Sequence, residues 1–281
     1  MFYKYQGSGN DFVIIDAMQG ESLLSPPEIS ALCRRNTGIG ADGVIFACEA
    51  PAGIDAAMRI FNADGSEAEM CGNGIRCLAK YLFEKKGLSK QNQLIETLAG
   101  VKKLRLIVVD DEVQEVEVDM GMPEFSGDDL PAIKDPSDLG EVSIVMEDGE
   151  ELAAVCLSMG NPHCVLFVED VDEAPVSLLG RTLEMHHIFP NRTNVEFAQL
   201  TDPNHLLIRV WERGVGETAA CGTGACAAFA AAIHTGQGES PMTAKLMGGD
   251  LKLRLDQHGH IHMTGPAVEV FQGELNRSWR G

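Results

Sequence analysis

Arg59-Ile60-Phe61-Asn62-Ala63-Asp64-Gly65-Ser66-Glu67-Ala68-Glu69-Met70-Cys71-Gly72-Asn73-Gly74 has a second copy in the chain. Arg209-Val210-Trp211, Glu217, Cys221, Gly222 and Gly224 align without a gap on Arg59-Ile60-Phe61, Glu67, Cys71, Gly72 and Gly74, at an offset of 150. Self-similarity at this scale decides the architecture before any local reading does. Further landmarks keep the same order. Gly9-Asn10, ahead of the apolar Phe12-Val13-Ile14-Ile15 and Asp16, recurs at an offset of 151 as Gly160-Asn161, ahead of the apolar Val165-Leu166-Phe167-Val168 and Glu169. Lys103-Leu104-Arg105-Leu106 recurs as Lys252-Leu253-Arg254-Leu255, an offset of 149, and each copy leads to a Gly followed closely by Pro (Gly121 with Pro123, Gly265 with Pro266). The reading is an N-terminal half over 1–120, a homologous C-terminal half over 121–264, and a terminal segment, 265–281, returning to the first half. Pro123 to Glu141 has the Pro, Asp, Ser and Gly content of a linker. Two such halves are expected to be related by a pseudo-twofold axis, which would make the two Cys-Gly-x-Gly segments spatial equivalents.

Most of the remaining pattern is that of strands. Leu104 to Val109, Asp110-Asp111-Glu112 and Val113 to Val118 read as a hairpin, as do Leu251 to Leu255 with His260 to Met263. Ser143 to Met146 and Leu152 to Leu157 make another around Asp148-Gly149. Helices are expected after each Cys-Gly-x-Gly, from about Ile75 to Lys85, stopping before Gly87, and over Ala225 to Ile233. The second is apolar on every side, the mark of a helix enclosed by protein. The expected class is α+β, each half a mostly antiparallel sheet wrapped around one central helix.

A Gly-rich turn that opens a helix presents unpaired N–H groups and the positive end of the helix dipole. It binds a carboxylate, and a cysteine placed there has its thiolate favoured. Two such segments, one per half, suit inversion of a stereocentre. One thiolate removes the α-proton from one face, the opposite thiol returns a proton to the other, and helix-start N–H groups stabilise the charge that develops. The plain alternative is that both are ordinary buried cysteines, the reading adopted here for Cys33, Cys48 and Cys156. It suits Cys71 and Cys221 less, because their flanking glycines are repeated too and are poor helix residues. Neither pair, Cys71 with Cys77 or Cys221 with Cys226, has the C-x₂-C spacing of a zinc ribbon.

The bulk properties narrow the class. The chain has 281 residues with 44% hydrophobic and 23% charged residues, as in soluble globular proteins. A formal charge of −20 argues against nucleic acid or an anionic membrane surface as partner. No apolar run approaches a bilayer span, and Met1 to Gln6 is not a signal peptide. Eight cysteines then imply a reducing, cytoplasmic setting with thiols unpaired.

Gly7-Ser8-Gly9-Asn10-Asp11-Phe12, Phe61 to Glu67, Met70-Cys71-Gly72-Asn73-Gly74-Ile75-Arg76-Cys77, Met159-Gly160-Asn161-Pro162-His163-Cys164 and Glu212-Arg213-Gly214 through Gly224 closely resemble the diaminopimelate epimerase family. The similarity runs from the N-terminus to Thr264-Gly265-Pro266-Ala267-Val268. It implies an isomerase that converts LL-2,6-diaminopimelate to the meso form for lysine and peptidoglycan synthesis, with no cofactor and no metal. It further implies that Cys71 and Cys221 are the acid–base pair, with His163 assisting Cys71 and Glu212 assisting Cys221. By the same resemblance Asn10, Asn62, Asn161, Asn194, Glu212 and Arg213 bind substrate, and Gly72-Asn73 and Gly222-Thr223 supply N–H groups. Arg209 is the repeat partner of Arg59, yet the family places carboxylate binding on Arg213. Some members carry Gln where this chain has Gly43, which implies looser discrimination at the far end of the substrate. Relatives are often homodimers. The alternative within the fold is a broader amino-acid racemase or isomerase, and outside catalysis a metal- or ligand-binding descendant.

Other signals are set aside. His258, His260 and His262 alternate and would share one strand face, an arrangement more often incidental than metal-binding. Asn191-Arg192-Thr193 fits a glycosylation pattern but has no secretory route. The Gly-rich segments lack the Lys of a phosphate loop.

Overall fold

Each Cys-Gly-x-Gly segment starts a helix one turn earlier than expected, with the cysteine itself as N-cap. The helices run Gly72–Lys86 and Gly222–His234, and Gly74 and Gly224 donate their backbone N–H groups to the sulfurs of Cys71 and Cys221 at 3.5 and 3.4 Å. The glycines were read as the turn before the helix; they are its first residues. Their poor propensity is offset by the side-chain cap and by burial of nearly every later turn.

The computed structural model describes residues 1–20, 23–131, 140–146, 149, 151–276 and 279. The chain runs β1 Phe2–Gly7, β2 Asn10–Ala17, α1 Pro26–Cys33, β3 Gly43–Cys48, β4 Ala56–Asn62, β5 Glu67–Ala68, α2 Gly72–Lys86, β6 Asn92–Thr97, β7 Gly100–Val109 and β8 Glu112–Gly121. It continues through β9 Glu141–Val145, β10 Glu151–Ser158, β11 Pro162–Phe167, α3 Val176–Glu184, β12 Asn194–Asp202, β13 His205–Glu212, β14 Gly216–Thr218 and α4 Gly222–His234. It ends with β15 Met242–Leu246, β16 Gly249–Leu255, β17 Ile261–Pro266 and β18 Val268–Gly273. Contacts divide it into one unit of Met1–Asp119 with Thr264–Gly281 and a second of Met120–Met263. The class is α+β. No helix among the described residues is long and apolar enough to cross a membrane.

In the first unit the pairing order is β18-β1-β2-β3-β4-β6-β7-β8, antiparallel except for β2/β3 and β4/β6. Helix α2 packs against β1, β2, β3, β4 and β7. In the second unit the order β9-β10-β11-β12-β13-β15-β16 repeats the scheme, with β11/β12 and β13/β15 parallel. There α4 packs against β10, β11, β12, β13, β15 and β16. The far face of each sheet is covered as well. Val13, Val44 and Phe46 join Ile29 and Leu32 of α1 in one apolar cluster, and Cys164, Val195 and Phe197 join Val176 and Leu183 of α3 in the other. Both faces of the central strands are therefore buried.

Register carries the repeat down to single strand positions. Phe12 pairs with Gly43 across β2/β3, and His163 pairs with Asn194 across β11/β12. With Phe46 opposite Arg59 and Phe197 opposite Arg209, the counterpart of Phe12 is His163, at the same offset of 151 as Gly9-Asn10 and Gly160-Asn161. The hairpin of β7 and β8 turns at Asp110 and Asp111, both with positive φ (51° and 63°), as a two-residue hairpin loop demands. Of the expected turn between β9 and β10, Glu147, Asp148 and Glu150 lie outside the described residues, as do residues 132–139 of the expected linker.

Arg76 ties the first unit together around α2. It is fully buried and donates to Gly72 O (3.2 Å), Asn73 Oδ1 (3.0 Å), Ser8 Oγ (3.1 Å) and Pro266 O (3.2 Å). The one side chain joins the helix start, the β1–β2 turn and the strand that precedes β18. Arg76→Leu removes the donors and strands these acceptors, so unfolding in urea should lose at least about 3 kcal/mol. An unchanged urea midpoint would show that the guanidinium is not the tie.

Candidate active site

The first unit gathers Asn10, Cys71, Gly72 and Asn73 at the start of α2. The β1–β2 loop is the pair Ser8 and Gly9, both at positive φ (51° and 79°), and it delivers Asn10 to this place. The Cys71 thiol donates to Asn10 Oδ1 at 3.7 Å, and Asn73 Nδ2 reaches the same oxygen at 3.5 Å. Asn10 Nδ2 donates to Asp42 Oδ2 (2.9 Å), which also accepts the Asp11 N–H (3.0 Å). Asp42 is thus a second support for Asn10 that the sequence reading missed. Asn62 ends β4, is exposed, and donates to Ser66 Oγ at 3.0 Å. It is held by its own turn and bonded to neither Asn10 nor Cys71 among the contacts described.

The second unit gathers a larger set. Cys221 caps α4, with its sulfur 3.4 Å from Thr223 Oγ1. Glu212 ends β13 and accepts a hydrogen bond from Thr218 Oγ1, with its carboxyl close enough to Cys221 for each to shift the ionisation of the other. Burial pushes the Glu212 carboxyl up and Glu196 adds to it, while Thr218, Cys221 and His163 pull it down. Burial also pushes the Cys221 thiol well up, reinforced by the carboxylates of Glu212 and Glu196 against the opposing bonds from Thr223 and Gly224. These effects favour the thiol over the thiolate at Cys221.

His163 is fully buried on β11. Its Nδ1 lies 2.7 Å from Glu196 Oε1 and its Nε2 lies 3.0 Å from Asn161 Oδ1. Asn161 in turn donates from Nδ2 to Thr223 Oγ1 at 3.4 Å. Asn194 Nδ2 donates to Pro162 O (2.9 Å), and its Oδ1 accepts the Arg213 N–H (3.0 Å). Arg213 donates from its guanidinium to Asn191 O at 3.0 Å. Arg209 is committed elsewhere, to Glu217 and to the carbonyls of Val171, Asp172 and Ala174. That leaves Arg213 as the arginine of this cluster that ends in a loop.

Glu196 and Thr218 escaped the sequence reading. Glu196 sits between Val195 and Phe197, so strand alternation reads it as a solvent-facing carboxylate. The face it points to is covered by α4. A second signal was available in Gly224, where a Cβ would lie 2.7 Å from Glu196 Oε1. At His262, Nε2 bonds Asp256 Oδ2 (3.1 Å), and Asp256 also accepts the N–H groups of His258 and His260. The alternating histidines thus cap a turn. No group of three or more His, Cys, Asp or Glu suited to hold a metal occurs among the described residues.

Residues 2–126 and 155–270 match the diaminopimelate epimerase family. The diaminopimelate epimerase of Synechocystis sp. is 46% identical over 276 residues, covering 97% of this chain and 98% of its own. That of Moorella thermoacetica is 48% identical over 277 residues, covering 98% of each. Among solved structures, a probable proline racemase from Agrobacterium radiobacter has a TM-score of 0.71 at 14% identity, covering 99% of this chain and 93% of its own. A hydroxyproline epimerase from Agrobacterium vitis has 0.70 at 16%, covering 96% and 90%. At such identities these two show a shared fold only. The full-length matches at nearly half identity go further: the chain belongs to the diaminopimelate epimerase family.

Proposed function

We propose that this enzyme interconverts LL- and meso-2,6-diaminopimelate by moving the α-proton between two thiols, Cys71 and Cys221. The observation that carries this reading is the pair of cysteine N-caps, each sulfur receiving the N–H of the third helical residue. In the LL-to-meso direction one sulfur, as thiolate, takes the proton from the α-carbon. The other, as thiol, gives its proton to the opposite face, and the two sulfurs exchange protonation states. A neutral Cys221 suits the donor role in one direction. Backbone N–H groups at Gly72-Asn73 and Gly222-Thr223 suit the carboxylate whose charge grows at the transition state.

His163 and Glu212 serve as proton partners of Cys71 and Cys221 respectively. Asn10, Asn62, Asn161, Asn194, Glu212 and Arg213 bind the two ammonium and two carboxylate groups of the substrate. Eight cysteines with no disulfide among the described residues support a cytoplasmic setting, and the charge of −20 supports a small-molecule partner over nucleic acid.

In deuterated water the meso product should carry deuterium at the inverted carbon, and full retention of protium there would exclude the two-base scheme. Cys71→Ala and Cys221→Ala should each lower kcat by at least about 10²-fold, measured by chiral chromatography of the product. Normal turnover in either variant would remove that sulfur. Glu212→Gln takes a negative charge from beside Cys221, so more thiolate should form at a given pH. Alkylation of Cys221 by iodoacetamide at pH 8, followed by mass spectrometry, should then be faster by about threefold or more. An equal or slower rate would show that Glu212 does not hold this thiol protonated.

A further inference from the structure

His163 and Glu196 stand in the second unit where Phe12 and Ile45 stand in the first. The equivalence rests on register: Phe12 opposes Gly43 and His163 opposes Asn194 on the parallel pairs, while Ile45 opposes Ile60 and Glu196 opposes Val210 on the antiparallel ones. It rests independently on the helix. A Cβ on Gly74 would lie 3.0 Å from Ile45 Cδ1, and one on Gly224 would lie 2.7 Å from Glu196 Oε1. The same slot beneath each capped helix thus holds an apolar pair in one unit and an acid–base pair in the other.

Stability does not account for the polar version. Both side chains are fully buried, and Glu196 Oε2 has no hydrogen-bond partner among the described residues. Apolar residues of similar volume often replace such a pair at no loss or with a gain, and the first unit shows that this scaffold accommodates them. A buried carboxylate kept with one oxygen unsatisfied points to a task outside packing.

The hydrogen bonds indicate the task. Both ring nitrogens of His163 face oxygen acceptors, Glu196 Oε1 on one side and Asn161 Oδ1 on the other. A carboxylate oxygen can only accept, so Nδ1 carries the hydrogen that meets Glu196, and Asn161 Oδ1 faces the other ring nitrogen. Asn161, fixed by the ring, turns its Nδ2 to Thr223 Oγ1, and that oxygen lies 3.4 Å from Cys221 Sγ. We infer that Glu196 is a positioning residue: it holds the His163 Nδ1–H, fixes the ring with Nε2–H on Asn161, and so sets the amide that meets the substrate. The other titratable groups whose charge acts on Glu196 are Glu212 of β13 and Cys221 at the start of α4, with Cys164 of β11 acting through the sheet from its other face. None of them is a histidine, so none competes for the same ring signal.

This inference rests on the proposed role of His163 and Asn161 in the reaction, and its test separates the two. The full chain without substrate, labelled with ¹⁵N-histidine, should show for His163 a strongly downfield hydrogen-bonded proton on Nδ1 at neutral pH. Glu196→Gln should lose that signal and lower kcat by about 10²-fold or more, as loss of the carboxylate behind a catalytic histidine does elsewhere. Glu196→Asp should recover part of both. The double variant His163→Phe with Glu196→Ile imports the pair of the first unit and should melt at or above the parent temperature while lacking turnover. An unchanged Nδ1 signal in Glu196→Gln, or full activity in the folded double variant, would overturn the assignment. Full turnover in His163→Asn would instead remove His163 from the reaction; the spectra of substrate-free protein would still decide whether Glu196 governs the ring.

Discussion

Everything in the two units is arranged around one weak bond made twice, a backbone N–H at the third helical position donating to the sulfur of the residue that caps the helix. A cysteine is not a favoured N-cap, and a helix beginning Gly-x-Gly is not a favoured helix. Tertiary packing supplies what local preference lacks. The central strands of each sheet are covered on both sides, by the capped helix on one face and by α1 or α3 on the other. At the second glycine a side chain would press on the sheet, on Ile45 and Ile60 in one unit and on Glu196 in the other. The sulfur is thereby held at the edge of the buried layer, at the positive end of the helix dipole.

The duplicated frame carries opposite charge behind its two sulfurs. At the fifth residue of the first helix stands Arg76, fully buried; its counterpart 150 residues on is Cys226, also buried but uncharged. Behind the second helix stand Glu196, His163 and Glu212. Two copies of a fold with identical surroundings would tune their thiols identically, and these two surroundings differ. The inequality comes from a few side chains set into matching slots, with the backbone left unchanged.

The repeat, the α+β class, the capped segments and most strands were legible because they rest on spacing and alternation, which survive in a single sequence. Helix starts were misplaced by a turn because local propensity counts glycine as a breaker and does not see the packing that overrides it. Glu196 and Thr218 went unseen because period-two alternation reports which residues share a face, not whether that face is covered. Asp42 and Arg76 owe their roles to contacts with residues distant in sequence, and nothing local announces them.

The pairing of β18 with β1, in which Phe2 lies opposite Gly273, bears on how the protein is made. On the ribosome the first unit emerges early, yet one edge of its sheet waits for residues synthesised after the whole second unit. The second unit is continuous in sequence and needs no such wait. The half that is translated second is therefore the first able to complete its sheet, and the order of maturation runs against the order of synthesis.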